Sequence, residues 1–79
     1  MRIISQDKRI DISYERAVVY IHRTTHDQSY VIAHVPDEDF SLGAYDTAED
    51  AAYVMSLIRT AFSEEYRYFY MPEARSLCY

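Results

Sequence analysis

The stretch from Ser41 to Phe62 constrains the fold more than any other part of the chain, because its apolar rhythm changes from strand period to helix period. The only glycine, Gly43, lies just before the change, and Thr47 and Asp50 have the spacing of a helix-capping pair. The pattern predicts a strand followed by a helix over residues 48–63. One apolar stripe, at spacings of three and four, predicts the buried side of this helix: Ala51, Val54, Met55, Ile58, Ala61 and Phe62.

Alternating or apolar runs bounded by turn residues predict five strands, over residues 1–5, 17–23, 29–35, 40–45 and 66–71. We therefore expect a single α+β domain over residues 1–79. It should contain an antiparallel sheet of about four to five strands, with one amphipathic helix packed on one face. A domain of this size buries only about 60 to 65 per cent of its unfolded surface, so self-association would help it. Residues 73–79 have no strong period, and we expect a tail that is either mobile or docked on a partner.

Two neighbouring strands should form a hairpin in which Arg23 pairs with Ser29. Alternation then gives one aliphatic face for the helix to cover, comprising Ala17, Val19, Ile21, Val31, Ala33 and Val35. The opposite face, which begins with Val18, mixes apolar and hydrogen-bonding side chains, and one helix cannot cover it as well. We predict an oligomer interface there, formed by Tyr20, His22, Tyr30, Ile32 and His34. The alternatives are a ligand surface, or simply the use of tyrosine to cover half-buried strands.

The balance of acidic and basic residues limits the classes of partner that the chain can bind. With 13 acidic against 8 basic residues and a net charge of −5, the chain lacks the basic footprint of a protein that binds nucleic acid directly. Seven of the eight bases are arginine, so a local anionic site could still assemble, although the arginines could equally be solvated partners of the acids. The lone Cys78 fits a reducing compartment. No stretch approaches the roughly 20 apolar residues of a membrane span, and we expect a soluble cytoplasmic protein.

Catalytic signatures are missing from the sequence. It has no nucleophile elbow, no glycine-rich phosphate loop and no zinc-protease motif, so we expect no enzymatic activity, no cofactor and no metal. The predicted hairpin does not make His22, His26 and His34 converge as zinc ligands. The acids at 37–39 are typical of a solvated turn rather than a calcium cage. Acids at the helix start argue against an anion site after Gly43.

Four short segments together resemble one family of small proteins: MRIISQD at 1–7, DISYE at 11–15, LGAYDTAEDA at 42–51 and FYMP at 69–72. That family is encoded by phages and prophages of Firmicutes-type bacteria. Its members typically open with this motif followed by glycine, then carry a strand ending in tyrosine, a T-x-E-x-A helix start and a closing aromatic-proline strand. This chain departs from the pattern at Lys8, where glycine is usual, and at Ser13, where many relatives have proline. Both departures affect the first turns.

The resemblance implies an accessory or counter-defence role in the cytoplasm of the host bacterium. The layout is also similar to that of phage anti-Thoeris sponges, which trap nucleotide immune signals as oligomers. This likeness implies a non-enzymatic homo-oligomer that sequesters a small cyclic nucleotide, with arginines for phosphates and aromatic rings for the base. The candidate ligand residues are Arg2, Arg16, Arg23, Arg67, Tyr20, Tyr30 and Tyr68.

Two other functions stay open. The acids at 37–39, with Glu64 and Glu65, could form a surface that inhibits a basic host defence protein, such as a CRISPR-Cas or other nucleic-acid-binding enzyme. Alternatively, the chain could be a structural or regulatory module with no ligand. Binding of cyclic nucleotides would distinguish the sequestering homo-oligomer from both of these alternatives.

Overall fold

The fold combines short strands with one long helix. The computed structural model describes residues 1–24 and 28–74 of the 79-residue chain. Within these ranges the elements, in chain order, are β1 (Arg2–Ile4), β2 (Asp11–Ser13), a 3₁₀ turn (Tyr14–Arg16), β3 (Val18–Arg23), β4 (Ser29–Val35), β5 (Glu38–Tyr45), α1 (Ala48–Ser63) and β6 (Tyr68–Tyr70).

The α+β class is confirmed, but the single sheet of four to five strands is wrong. The strands form two sheets of three, in the orders β3-β4-β5 and β2-β1-β6. The first sheet is antiparallel throughout, whereas β6 pairs with β1 in parallel. Strand β2 was not among the predicted strands. The alternation of side chains shows which side of a strand is apolar but does not show which strands pair. Strand β6 can pair with β1 in parallel because the helix before it carries the chain back in the same direction.

The predicted helix is confirmed over its full length. The Thr47 hydroxyl accepts the Asp50 amide at 3.1 Å and caps the first turn. Four residues of the predicted stripe are buried, and they pack the helix against β3, β4 and β5. Phe62 was predicted on the buried side of the helix, and this prediction is wrong, because its side chain is 45% exposed. It lies where the helix passes the end of the sheet, with its ring 5.1 Å from the ring of Tyr14.

One hydrophobic core serves both sheets. The inner sides of β4 and β5 contribute Val31, Ala33 and Leu42, and the helix contributes its buried stripe. The smaller sheet adds Ile3 and Ile12 to the same cluster. Because neither sheet has enough apolar surface for a separate core, the two must dock to bury these side chains.

Gln6 provides the polar connection between the sheets. Its backbone amide donates to the Leu42 carbonyl at 2.8 Å, so the chain leaving β1 runs along the edge of β5. Its side-chain carbonyl accepts the Ala44 amide at 2.9 Å, and its side-chain amino group donates to Pro72 at 2.9 Å and to Ala44 at 3.3 Å. The buried Tyr45 hydroxyl donates to the same Pro72 carbonyl at 2.7 Å.

Gly43 is required by this connection. A Cβ at this position would lie 2.9 Å from Cδ of Gln6 and 3.1 Å from the Tyr45 hydroxyl oxygen. The lone glycine therefore makes room for the Gln6 amide, and its role is structural. The segment after β6 also lies on the chain's own core, where Ala74 is partly buried; the mobile or partner-docked tail stays a prediction. The rest of that tail, residues 75–79, lies outside the described residues, as does His26.

Two turns hold residues in the left-handed region, where glycine is favoured. Lys8 has φ 63° in the turn between β1 and β2, and its amide donates to the Ser5 carbonyl at 3.0 Å. Glu65 has φ 64° just after α1. The next amide, of Tyr66, donates to the Ala61 carbonyl at 3.0 Å, which closes the helix with a Schellman motif.

We expect Lys8→Gly and Glu65→Gly each to raise the free energy of unfolding by about 0.5 to 1 kcal/mol, because glycine adopts positive φ without steric cost. Denaturant unfolding followed by circular dichroism measures the change. Glu64→Gly is the matched control: Glu64 has φ −91°, so glycine there should only lower stability. Equal losses in all three variants would contradict the interpretation.

Tyr45 should make stability sensitive to alkaline pH. Burial raises the pKa of Tyr45 from its ordinary value of 10.0 to about 12. The folded chain therefore holds the phenol proton more tightly than the unfolded chain does. Its contribution is fully present below about pH 10 and is lost as the pH rises toward about 12. Urea unfolding at a series of pH values should show the stability advantage of wild type over Tyr45→Phe shrinking in this window, and a constant difference would contradict the assignment.

Candidate ligand groove and outer sheet face

The predicted hairpin register is confirmed, with Arg23 opposite Ser29 and His22 opposite Tyr30. The predicted interface residues share the outer face of the three-stranded sheet β3-β4-β5, which α1 does not cover. Val18 is 63% exposed and Tyr20 38% exposed on this face. The structure thus collects these side chains on one surface, and self-association through it remains a prediction.

His34 is the polar end of this outer face. Its imidazole Nδ1 pairs with the Asp39 carboxylate of the neighbouring strand β5. Both side chains are more than half exposed, so the pair adds little to stability. The register of β4 with β5 gives the orientation of these residues: Asp39 lies beside His34 on the outer face, whereas the next residue, Phe40, lies opposite Ala33 on the inner side.

The seven predicted ligand residues do not form one pocket. Tyr20, Tyr30 and Arg23 belong to β3 and β4, whereas Arg67 and Tyr68 lie at the other sheet. Arg23 lines a small depression at the start of α1, together with the acidic Asp46 and Glu49. The prediction placed all of these strands in one sheet, and the division into two sheets separates the residues.

Two of the predicted arginines do come together, and a third joins them. Arg2 and Arg16 line a groove of about 510 Å³ with Arg9, which sequence reasoning missed. The groove runs between β2 and the turn that connects β4 to β5. Its apolar lining comes mainly from Ile10, Ile12, Val35, Pro36 and Phe40, and Asp11 and Ser13 complete it.

The groove is cationic in an acidic chain. Three arginines against one aspartate give its lining a formal charge of +2, whereas the whole chain carries −5. Arg2 is held in place, because its Nε donates to the Asp11 carboxylate at 2.6 Å and its terminal nitrogen to the Asp11 carbonyl at 3.1 Å. Arg9 and Arg16 make no hydrogen bond or ion pair with any other described side chain. Their guanidinium groups are therefore available to a ligand.

Asp7 orders the turn that carries Arg9. Its carboxylate accepts the Ser5 hydroxyl at 2.5 Å and the Arg9 amide at 3.0 Å. These hydrogen bonds, the Ser5 bond first, lower the pKa of the exposed Asp7 carboxyl from its usual value. The ionised carboxylate holds the backbone of Arg9 beside β2, which sets the direction in which its side chain leaves the turn.

Arg9 could have been found from the sequence, but Phe40 could not. A hairpin between β1 and β2 places the residues of the connecting turn beside Arg2, so Arg9 follows from that pairing. Phe40 and Pro36 come from the other sheet. They reach the groove only because the two sheets dock, and no periodicity in the sequence predicts that docking.

No protein-family model, no curated protein and no solved structure matches this chain. In residues 1–24 and 28–74, no group of three or more His, Cys, Asp or Glu side chains is arranged to hold a metal ion. No helix in the same part of the chain is long and apolar enough to cross a membrane. The acids at 37–39 and the pair Glu64 and Glu65 lie at separate elements: the first set at the start of β5 and in the turn before it, and the pair at the end of α1.

The unpaired groove arginines should be dispensable for stability. We expect Arg9→Ala and Arg16→Ala to change the free energy of unfolding by less than about 0.5 kcal/mol, as for other surface substitutions without a fixed partner. Chemical denaturation measures this. Gln6→Ala, which breaks the connection between the sheets, is the comparison and should cost about 1 to 3 kcal/mol. A comparable loss in an arginine variant would show that the groove is a structural feature.

Proposed function

We propose that this chain is a non-enzymatic binding protein that sequesters a small anionic ligand of the nucleotide type, and that it acts as a homo-oligomer. The ligand site that we propose is the groove of Arg2, Arg9 and Arg16, in place of the seven-residue set inferred from the sequence. The observation that carries the proposal is the combination of unpaired guanidinium groups with an apolar floor.

The arginines suit phosphate. A guanidinium group donates parallel N–H bonds that match two phosphate oxygens, and it is desolvated more easily than an ammonium group. Neither Arg9 nor Arg16 forms an ion pair with a carboxylate among the described residues, although the Arg9 charge is close enough to help stabilise the ionised Asp7 carboxylate. The third arginine, Arg2, is already oriented by Asp11, so less side-chain freedom is lost when a ligand binds.

The apolar lining suits a flat ring. Phe40 of β5 and Pro36 of the β4–β5 turn both line the groove. A base or another planar group can pack against such side chains while its phosphate reaches the arginines. The volume, about 510 Å³, falls within the usual range for small-molecule sites. A single nucleotide or a small cyclic nucleotide matches this size.

The side chains of the groove are suited to binding a ligand rather than to catalysing a reaction on it. Its lining offers three guanidinium groups, one carboxylate that is engaged by Arg2, and the hydroxyl of Ser13. Among the described residues, the lining holds no histidine, cysteine or lysine, which are among the side chains that most often act as acid, base or nucleophile. The resemblance to phage-encoded proteins supports counter-defence as the setting, in which the captured ligand is an immune signal of the host cell.

Isothermal titration with cyclic AMP, cyclic di-AMP and ADP-ribose tests the proposal. We expect at least one of these probes to bind wild type, and Arg9→Ala together with Arg16→Ala to weaken its affinity by about a hundredfold, since each charged hydrogen bond contributes about 1.5 to 3 kcal/mol. Phe40→Ala should weaken it as well.

The matched control is the double variant Arg59→Ala and Arg67→Ala, which removes the same charge from exposed positions outside the groove. It should bind as wild type does, apart from a small effect of overall charge. No binding by any probe, or equal losses in the two double variants, would contradict the assignment of the groove.

A further inference from the structure

Strand β3 has one unpaired edge. In the sheet order β3-β4-β5 it pairs only with β4, and its register with β4 is continuous from Val18 to Arg23. No described backbone or side-chain group bonds to the other side of the strand. The opposite edge of the sheet is different, because the Gln6 backbone and side chain cover β5 at Leu42 and Ala44.

The hydrogen bonds reveal which residues face the open edge. Just beyond β3, the Thr24 amide donates to the Gln28 carbonyl at 2.9 Å, which makes these two residues a hydrogen-bonded pair. Such pairs alternate along an antiparallel ladder. The even-numbered residues of β3 therefore bond to β4, and the N–H and C=O groups of Val19, Ile21 and Arg23 point outward.

Natural edge strands usually carry features that prevent pairing with another chain, such as lysine, proline or a bulge. The β3 sequence VVYIHR contains neither lysine nor proline, and its pairing with β4 has no bulge. Its one fixed charge, Arg23, lies at the end. Among the exposed side chains of β3, Val18 and Tyr20 are the two large apolar or aromatic ones, and both favour burial.

We propose that a second copy of this chain occupies the open edge, with the two β3 strands antiparallel about a two-fold axis at Tyr20. Directly opposed residues share a face, so the axis must pass between two equivalent residues, and the two positions at the centre of β3 are Tyr20 and Ile21. An axis at Tyr20 sets Val19 opposite the partner's Ile21 on the inner side. An axis at Ile21 would instead set Val19 opposite the partner's Arg23, which places a charge against an aliphatic side chain.

With the axis at Tyr20, the backbone N–H and C=O groups on the open edge of β3 also find hydrogen-bond partners in the second copy. Val19 and Ile21 each exchange a pair of backbone bonds with the partner's Ile21 and the partner's Val19. The Arg23 amide can donate to the partner's Ala17 carbonyl, whereas the Ala17 amide is already turned to Tyr14. On the outer face, the tyrosines meet at the axis as a non-hydrogen-bonded pair, the type with the closest side chains. The result is one continuous sheet of six strands.

Cysteine crosslinking tests the register in the full chain carrying Cys78→Ser. Tyr20→Cys should form a disulfide-linked dimer on mild oxidation, because non-hydrogen-bonded partners lie within disulfide distance. Val18→Cys and His22→Cys are matched controls on the same exposed face. In the dimer, each of these residues lies four residues along the strand from the position opposite its equivalent in the partner, so neither variant should form a disulfide-linked dimer. Crosslinking of all three variants, or of none, would overturn the proposal.

Sedimentation measures the association without crosslinks. Tyr20→Lys places like charges opposite each other at the axis and should raise the dimer dissociation constant by about tenfold or more. Tyr70→Lys makes the same change at an exposed position of the other sheet and should leave the constant unchanged. A monomeric wild type at millimolar concentration, or equal effects of the two variants, would contradict pairing through β3. This inference rests on the homo-oligomer of the proposed function, and a monomeric wild type would contradict both. Neither experiment involves the groove, so each can fail without affecting the proposed ligand.

Discussion

The Gln6 side chain is the interaction on which the rest of the structure depends. Its primary amide behaves as an extra peptide group, accepting from Ala44 and donating to Pro72. The chain therefore continues its hydrogen-bond ladder across a gap between two sheets that are not otherwise joined by strand pairing. Gly43 leaves space for the amide, and the buried Tyr45 holds the Pro72 carbonyl from the other side. A partly buried amide that donates two hydrogen bonds and accepts a third specifies one docking geometry, as an apolar contact would not.

Both proposed binding surfaces follow from that geometry. Docking the smaller sheet against β5 brings its arginines beside the β4–β5 turn, and the groove exists only at this meeting of the two sheets. The same docking covers the edge of β5 and leaves β3 as the open edge of the larger sheet. The proposed ligand groove and the proposed self-association edge thus lie on different surfaces, so the proposal allows one copy to use both at once.

The sequence predicts the parts of this molecule that depend on local period. The helix with its Thr47 cap and the hairpin register are correct, because each rests on spacing within a short stretch. It does not predict the division into two sheets, since the deciding residue, Gln6, looks like an ordinary polar turn residue. For the same reason only Arg2 and Arg16 of the candidate ligand set meet in the groove. The exposure of Phe62 reflects where the sheet ends, which periodicity cannot show.

Amide hydrogen exchange in wild type and Gln6→Ala tests most directly whether Gln6 makes the two sheets one cooperative unit. The amides of Ile3 and Ile12 report on the smaller sheet, and the amide of Ile32 reports on the larger one. The account predicts equal free energies of opening for all three in wild type. In Gln6→Ala, the Ile3 and Ile12 amides should exchange at a free energy lower by about 1 kcal/mol or more than that of Ile32. Equal free energies in the variant would contradict the account.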